Sequence, residues 1–249
     1  MLGNPPRPPN EKVIWRYLSL DKYLDLLLTK TIKFTQVEIA ADQLEISLML
    51  KRLEQNGNLV GRENILESAS HFINILRKSH YINCWTGKEH ECRSLWFSYL
   101  GESRLGVAIK STVGQVREHI VWGDYGVNCN EVIYRDTFDD TEELQNNIKL
   151  LNSKALAYSS ESEVRFSVNE SLMHLPEGEL SETNPPVLIA PNSLPKVISF
   201  NSDLQSMINE VWISPYCQEW QLDMLKNLTS NLAPYLVNKM KRSDLNERI

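Results

Sequence analysis

The sequence predicts an α+β protein whose mixed, mainly antiparallel sheet is flanked by helices. Short runs with the two-residue alternation of strands, such as 105–110, are interspersed with amphipathic segments such as 63–78. Their order lacks the regular βαβ rhythm of a doubly wound parallel sheet, so the α+β class is favoured. A hydrophobic content of 42% with 23% charged residues is ordinary for a globular protein and allows a sizeable core.

The length and the N-terminus predict one domain with a short lead-in. A chain of 249 residues suits one domain, and no internal repeat or strong linker divides it, so a single α+β domain is predicted over residues 13–249. Residues 1–12 are Pro-rich and lack the apolar core of a signal peptide, which predicts a flexible, extended segment. No apolar run approaches the roughly 20 residues that span a bilayer. We therefore expect no membrane contact and a cytoplasmic location, and the sequence leaves the oligomeric state open.

The charge and the cysteines limit the classes of partner. A formal net charge of −6 disfavours a general electrostatic attraction to nucleic acid, because phosphate backbones select positive surfaces. The cysteines are dispersed and form no C-x-x-C pair. His80, Cys84, His90 and Cys92 lie close together in sequence but match no common zinc-ligand spacing. No metal is expected, and buried thiols with ordinary histidines are the simpler interpretation.

Helix-start signals and apolar periodicity place the elements of the first half of the chain. Ser19 is positioned as an N-cap, with Asp21 in the first turn, where the helix dipole favours a negative charge. Thr112 and Gln115 fit a capping box that opens a short helix. Strands are predicted at 13–18, 31–35, 80–85 and 105–110, and helices at 20–30, 41–55, 63–78, 91–100 and 112–120.

The second half is predicted to contain shorter elements. A helix is expected over 140–158, because Asp140 and Glu143 resemble a capping box. An acidic loop with Pro and Gly is expected at 175–186. Strands are predicted at 130–135, 187–190, 196–200, 210–214 and 235–240, and the last long helix at 218–232.

A charged stretch late in the chain is the first candidate for a site. Glu161, Glu163 and Arg165 occupy alternate positions, with Val164 and Phe166 among them. In a strand the three charged side chains would project on one side and the two apolar side chains would face the core. Two carboxylates beside a guanidinium suit a binding site, and they equally suit an edge strand whose charges prevent aggregation.

Two further features stand out from ordinary packing. Arg16 lies within the first predicted strand, where a long cation is uncommon unless it is paired. Trp96 and Tyr99 fall one turn apart on a predicted helix face, either as core residues or as a platform for a ligand ring. No P-loop, no G-x-G-x-x-G and no G-x-S-x-G motif occurs in the chain.

A series of short motifs runs through the chain in a recognisable order. The first are Trp15-Arg16-Tyr17-Leu18-Ser19, Phe34-Thr35, and Asp42 with Glu45. The later ones are Cys84-Trp85, Trp96-x-x-Tyr99, Gly106-Val107-Ala108-Ile109, Val132, Tyr134, Lys154, Glu161-x-Glu163-x-Arg165 and Glu210 to Pro215. In these motifs nearly the whole chain, from about Val13 to about Leu236, resembles the prokaryotic family domain of unknown function 2971. The roles of Asp42 and Glu45 stay open.

A more distant resemblance suggests a chemistry. A first strand with Arg, a second strand with Thr or Ser, and a later Glu-x-Glu strand are similar to the layout of ADP-ribosyltransferases of the Arg–Ser–Glu type. The resemblance implies that NAD is the substrate and that a protein or nucleic acid accepts ADP-ribose, or that NAD is hydrolysed. It also implies a toxin or phage-defence setting. The reaction needs an anion beside the developing positive charge, a cation on the pyrophosphate and aromatic rings around nicotinamide.

The same resemblance assigns roles to individual residues. Glu163 is implied as the catalytic carboxylate, Glu161 as the group that positions or activates the acceptor, and Arg16 as the phosphate clamp. Thr35 is implied to support the carboxylate or the ribose. The full implied nucleotide-binding set consists of Arg16, Tyr17, Thr35, Trp96, Tyr99 and Arg165.

Two alternatives stay open, as does the question of whether the protein is an enzyme. In the first, Arg16 pairs with Glu161 or Glu163 across neighbouring strands, and the protein is a non-enzymatic ligand-sensing or interaction module. In the second, the protein is a metal-dependent nuclease, because hard carboxylates bind magnesium. Its active site would be assembled from Asp42, Glu45, Glu161, Glu163 and Lys154.

Overall fold

A computed structural model describes residues 4–40, 63–135, 146–174 and 187–245. The predicted helix at 41–55, which carries Asp42 and Glu45, and the predicted acidic loop at 175–186 lie outside the described residues.

Strands and helices follow one another as the periodicity of the sequence predicts for most of the described chain. The strands are β1 (Val13–Ser19), β2 (Thr31–Gln36), β3 (His80–Thr86), β4 (Gly106–Thr112), β5 (Asn128–Glu131), β6 (Ile133–Tyr134), β7 (Ser153–Lys154), β8 (Glu163–Asn169), β9 (Met173–His174), β10 (Val187–Leu188), β11 (Val197–Asn201), β12 (Glu210–Ile213) and β13 (Met240–Arg242). The α-helices are α1 (Leu20–Thr29), α2 (Glu63–Ser79), α3 (Arg93–Leu100), α4 (Val113–Glu118), α5 (Asn147–Leu151), α6 (Leu204–Met207) and α7 (Glu219–Leu232). Among the described helices, none combines the length and the apolar character needed to cross a membrane.

The main sheet is mixed and mainly antiparallel, which confirms the predicted α+β class. Its strands follow the order β11-β2-β3-β1-β4-β12-β13, and β8 pairs with β3 and with β5. Strands β12 and β13 run parallel, whereas the other described pairs of this sheet are antiparallel. Two small sheets, β6 with β7 and β9 with β10, lie apart from it.

Strand β3 is the branch point of the main sheet. One edge of β3 pairs with β8 along its whole length, from His80 opposite Asn169 to Thr86 opposite Glu163. Along the other edge, β2 pairs near the start of β3 at Ile82, whereas β1 pairs at its end at Thr86. Strands β1 and β2 therefore separate between these two points and leave a fork in the sheet.

The side chain of Asn83 bridges the fork. Its amide nitrogen donates a hydrogen bond of 2.8 Å to the carbonyl oxygen of Lys33 on β2. Its amide oxygen accepts a hydrogen bond of 2.6 Å from the indole nitrogen of Trp85. A buried asparagine thus provides a partner for a backbone carbonyl at the point where the strands separate, and buried polar groups need such partners.

Among the described residues, two hydrophobic clusters pack against the sheet. The larger cluster contains Val164 and Phe166 of β8, which are fully buried as predicted, together with side chains of α1 and α7 such as Leu27 and Leu225. The smaller cluster packs α3 on β1, β4 and β12. Its buried members are Trp15, Tyr17, Leu95, Trp96, Leu100, Ala108 and Trp212.

The predicted helix over 140–158 is confirmed at Asn147–Leu151 and is wrong for the described residues after Leu151. Helix α5 ends at Leu151, and β7 and a 3₁₀ helix at Leu156–Glu161 follow. The amide of Asn152 donates to the carbonyl oxygen of Ile148, and the hydroxyl of Ser153 donates to that of Lys149. Such short polar side chains compete with the backbone bonds that would continue a helix.

The predicted strand at 235–240 is also wrong. A 3₁₀ helix occupies Pro234–Lys239, and the strand is limited to Met240–Arg242. Pro234 stands at the first position of this helix, where the missing N–H has no cost and the ring fixes a helical φ.

The two predicted helix starts behave differently. Thr112 accepts from the backbone N–H of Gln115, whose side chain accepts from the Thr112 backbone, so the predicted capping box is confirmed. Ser19 occupies the N-cap position of α1 but forms no capping hydrogen bond. Its hydroxyl donates to the carboxylate of Asp21 instead.

The Pro-rich lead-in, which we expected to be flexible, is attached to the domain from Pro5 onward. The carbonyl oxygens of Pro5 and Pro6 accept hydrogen bonds from the Asn130 side chain and the Glu131 backbone. Lys12 forms an ion pair of 2.6 Å with the Glu131 carboxylate. Prolines cannot donate from the backbone, but their carbonyls serve as partners for the outer edge of β5.

Gly106 provides a test of the packing between β1 and β4. A Cβ at this position would overlap the carbonyl oxygen of Leu18 and the side chain of Leu100. We expect Gly106→Ala to lower the free energy of unfolding by about 3 kcal/mol, because backbone and packed side chains would both have to move. Gly126→Ala is the matched control: its Cβ meets no atom within 4 Å, so a change within about 0.5 kcal/mol is expected. Urea unfolding of both variants measures the difference, and equal stabilities would contradict the described packing.

Candidate functional site

A cavity of about 270 Å³ lies at the fork. Its walls come from β1, β2, β3, β8, α1, α2, α3 and the α5–β7 region. Five cationic side chains and two carboxylates line it, namely Arg16, Lys22, Arg77, Lys154, Arg165, Glu161 and Glu163. Because the separation of β1 from β2 opens this space, the cavity is a direct result of the sheet topology.

A chain of four alternating charges forms one wall of the cavity. The Nε of Arg165 lies 2.7 Å from Oε1 of Glu163, and the Nζ of Lys154 lies 3.0 Å from Oε2 of the same carboxylate. Lys154 also lies 2.8 Å from Oε2 of Glu161. The Arg165 guanidinium donates a further hydrogen bond to the carbonyl oxygen of Leu151 at the end of α5. Strand β8, helix α5 and strand β7 are thus joined through Glu163.

Glu161 does not lie on the strand, contrary to our prediction. Strand β8 begins at Glu163, and Glu161 ends the preceding 3₁₀ helix. Ser162 between them adopts a left-handed conformation with φ of 48°, which is uncommon for a residue other than glycine. The two carboxylates nevertheless meet at Lys154, whereas Glu163 and Arg165 share one face of β8 as predicted.

Glu163 is held as an anion. Burial alone would raise its pKa, but the charges of Arg165 and Lys154, with hydrogen bonds from Arg165 and Cys84, outweigh burial and lower the pKa to about 2. Burial and the neighbouring Glu163 carboxylate raise the pKa of the Cys84 thiol. Cys84 is therefore a neutral hydrogen-bond donor to the carboxylate and not a nucleophile.

Arg16 lies at the fork and has no carboxylate partner among the described residues. Within the described part of the chain, the Arg16 side chain forms no ion pair, and its burial lowers the pKa of the guanidinium. Strands β1 and β8 are not neighbours, because β3 lies between them. The predicted ion pair of Arg16 with Glu161 or Glu163 is therefore wrong, because the partners of these carboxylates are Lys154 and Arg165. The non-enzymatic function stays a prediction.

The predicted aromatic pair divides into a core residue and a cavity residue. Trp96 is fully buried, meets Tyr17 edge-on at 4.8 Å and donates to the Glu91 carboxylate, so its predicted place beside a ligand is wrong. Tyr99 is 41% exposed and lines the cavity. Its ring is stacked near that of Tyr17, with centroids 6.0 Å apart. Tyr17 and Thr35 also line the cavity.

Several cavity residues were not assigned to a site from the sequence. Lys22 lies near the start of α1, and Arg77 lies near the end of α2. A solvent-facing cation is ordinary at either position, so the surrounding sequence does not indicate that Lys22 or Arg77 belongs to a site. Lys154 was singled out only in the family resemblance and in the nuclease alternative, and its position between two carboxylates depends on the early end of α5.

Comparisons with protein-family models, curated proteins and solved structures found no match. The resemblances drawn from the sequence therefore stay predictions. Among the residues that the structure describes, no group of three or more His, Cys, Asp or Glu side chains is arranged to hold a metal ion. Asp42 and Glu45, which the nuclease alternative requires, lie outside the described residues.

Glu163→Gln tests the charge chain through its pH dependence. The pKa of Glu163 falls from an ordinary 4.5 to about 2 on folding, so its stabilising contribution is complete above pH 4.5 and is lost as the pH falls toward 2. The variant should lose about 3 kcal/mol of unfolding free energy at pH 7, because Arg165 loses its carboxylate. It should also show a smaller loss of stability between pH 4.5 and pH 2 than the wild type, because the contribution of Glu163 is absent while those of other carboxylates such as Glu210 remain.

Denaturant unfolding at a series of pH values measures both effects. The exposed Glu102→Gln is the matched control and should follow the wild-type pH profile. An unchanged profile for Glu163→Gln would show that the ion pairs of Glu163 do not contribute to stability.

Proposed function

We propose that the cavity binds a phosphate-bearing nucleotide, with NAD as the first candidate, and that the protein transfers ADP-ribose to a macromolecular acceptor or hydrolyses NAD. The observation that carries the proposal is a set of three cations, Arg16, Lys22 and Arg77, on the cavity wall. None of them forms an ion pair with another described residue. Their concentration in a chain of net charge −6 favours an anionic ligand at this place.

Arg16 is the strongest support for a phosphate group. A partly buried guanidinium without a partner is unfavourable for folding, because the charge loses hydration without a compensating interaction. A phosphate accepts two parallel hydrogen bonds from one guanidinium, and such charge-assisted pairs are among the stronger hydrogen bonds in proteins. A bound pyrophosphate would therefore give the Arg16 guanidinium the ionic partner that the described residues do not provide.

The reaction breaks the bond between the ribose C1′ and the nicotinamide nitrogen. The electron pair of that bond leaves with nicotinamide, which becomes neutral, and positive charge develops on the ribose. A carboxylate beside the ribose stabilises this charge. The oxygen or nitrogen of an acceptor, or a water molecule, then forms the new bond to C1′ and releases a proton.

Glu161 is better placed than Glu163 to contact the ribose. The Glu161 side chain is 23% exposed, and its Oε2 is bound by Lys154. The Glu163 side chain is only 3% exposed, and each of its oxygens faces a cation. We therefore assign the contact with the reacting sugar to Glu161, and to Glu163 the positioning of Lys154 and Arg165. This division differs from the sequence resemblance, in which Glu163 is the catalytic carboxylate.

Tyr99 and Thr35 complete the proposed nucleotide site. The exposed ring of Tyr99 offers a flat apolar surface on which nicotinamide or adenine would stack. The Thr35 hydroxyl on β2 is a donor and acceptor of the kind that ribose hydroxyls need. As part of the same proposal, we place the reaction in the prokaryotic cytoplasm, in a toxin or phage-defence setting.

Calorimetric titration with NAD, together with a nicotinamide-release assay, tests the proposal directly. Saturable binding with release of nicotinamide supports ADP-ribosyl chemistry, and binding without release supports the non-enzymatic ligand-sensing alternative. Failure to bind NAD and ADP-ribose would overturn the nucleotide site. Magnesium-dependent cleavage of DNA or RNA by the wild type would favour the nuclease instead.

Arg16→Met separates binding from folding. The substitution keeps an apolar stem of similar length and removes a charge that has no ion-pair partner among the described residues, so stability should stay within about 0.5 kcal/mol or rise. Affinity for NAD should fall by about 10- to 100-fold, as expected for the loss of a charge-assisted phosphate contact. Arg93→Met, at an exposed position of α3 outside the cavity, is the matched control for both measurements. Equal NAD affinity in the two variants would contradict the assignment of Arg16.

Glu161→Gln tests the assignment of the reacting carboxylate. Release of nicotinamide should fall by at least about 100-fold, because a neutral amide cannot balance the developing positive charge. Stability should change by no more than about 1 kcal/mol, since Lys154 keeps its contact with Glu163. Full activity of this variant would return the catalytic assignment to Glu163.

A further inference from the structure

A second cavity, of about 190 Å³, lies on the same face of the sheet as the first. Along β8, Glu163 and Arg165 face the first cavity, and Ser167 and Asn169 follow at the next alternate positions and line the second. Leu151, at the end of α5, contributes to the walls of both cavities. The two spaces are therefore adjacent but divided by one side chain and its helix.

The second cavity is lined by neutral polar groups. Antiparallel pairing places Asn128 opposite Ser167, and His80 opposite Asn169, so three strands contribute polar side chains to one floor. Asn130, Asn152, Ile148 and Leu151 complete the walls. His80 is the one titratable residue of this lining, and burial lowers its pKa, which keeps the imidazole neutral near pH 7. The set has no cation and no carboxylate, in contrast to the first cavity.

Several of these groups have no partner among the described residues. In the parts of the chain that the structure describes, the side chains of Asn128, Ser167 and Asn169 form no hydrogen bond to protein. The Oδ1 of Asn152 is buried and also has no partner. Buried polar groups of folded proteins are nearly always paired, so the buried Oδ1 of Asn152 indicates that a ligand supplies its partner. The exposed side chains of Asn128 and Asn169 are available to the same ligand.

Shape and chemistry define the class of ligand. Each carboxamide offers a donor next to an acceptor, which matches the adjacent N–H and C=O of an amide or of a lactam ring. A charged ligand would lose its hydration here without a counter-charge. The second cavity is smaller than the first, about 190 Å³ against about 270 Å³, so a ligand smaller than a nucleotide is favoured.

We propose that this amide-lined cavity is a second binding site, which takes a small, uncharged planar ring with a lactam or amide edge. The site is separate from the nucleotide site proposed above and does not depend on it. Ser167 and the carboxamides of Asn128 and Asn169 supply the hydrogen bonds, and Ile148 and Leu151 supply apolar contact to the ring.

Titration of the full chain with uracil, followed by calorimetry and by amide chemical shifts, tests the proposal. Uracil should bind saturably, whereas orotate, which carries a carboxylate on the same ring, should bind at least about tenfold more weakly. The double variant Asn128→Ala with Asn169→Ala should reduce uracil affinity by about tenfold or more, because two hydrogen-bonding groups are removed. Both positions are exposed, so the fold should tolerate the change.

Two variants serve as controls. Asn201→Ala, at an exposed position of β11, should leave uracil binding unchanged. Arg16→Met should also leave it unchanged, whatever the result with NAD, because Arg16 belongs to the other cavity. Absence of saturable binding up to the solubility limit of uracil, equal binding of orotate, or loss of binding in Arg16→Met would each overturn the proposal.

Discussion

The buried carboxylate of Glu163 is the charge on which the architecture of the site depends. Arg165 and Lys154 reach it from β8 and β7, and neither cation could be buried at this depth without a counter-charge. Arg165 also binds the carbonyl end of α5 at Leu151. One ionised group therefore sets the relative position of a strand, a helix end and a second carboxylate, Glu161. The wall between the two cavities is a consequence of that arrangement.

The face of β8 changes in chemical character along its length. The first alternate positions, Glu163 and Arg165, are charged, and the next two, Ser167 and Asn169, are neutral. The neighbouring strands add no charge at the first end, since Cys84 of β3 and Asn130 of β5 lie opposite Arg165. The charges there come from β8 itself and from Lys154 and Glu161. A single sheet face thus presents one environment suited to anions and another suited to uncharged polar groups, with Leu151 between them.

Local patterns in the sequence predicted most of the described elements and the α+β class, since alternation and helical spacing depend on near neighbours. They also predicted that Glu163 and Arg165 share a face and that Val164 and Phe166 are buried. Long-range pairing was not accessible: the fork exists because β1 and β2 both pair with β3, and no local signal specifies this.

The sequence predictions that proved wrong also failed for physical reasons. Trp96 and Tyr99 lie one turn apart, and their exposure is decided by packing against β1, which helical spacing alone does not reveal.

Asn130, which lines the amide-lined cavity, also donates a hydrogen bond to the carbonyl oxygen of Pro5, so the N-terminal segment covers the outer edge of β5. Removal of the first ten residues would expose that edge, and an exposed strand edge can pair with a second molecule. A protein expressed without these residues would therefore be more prone to aggregation.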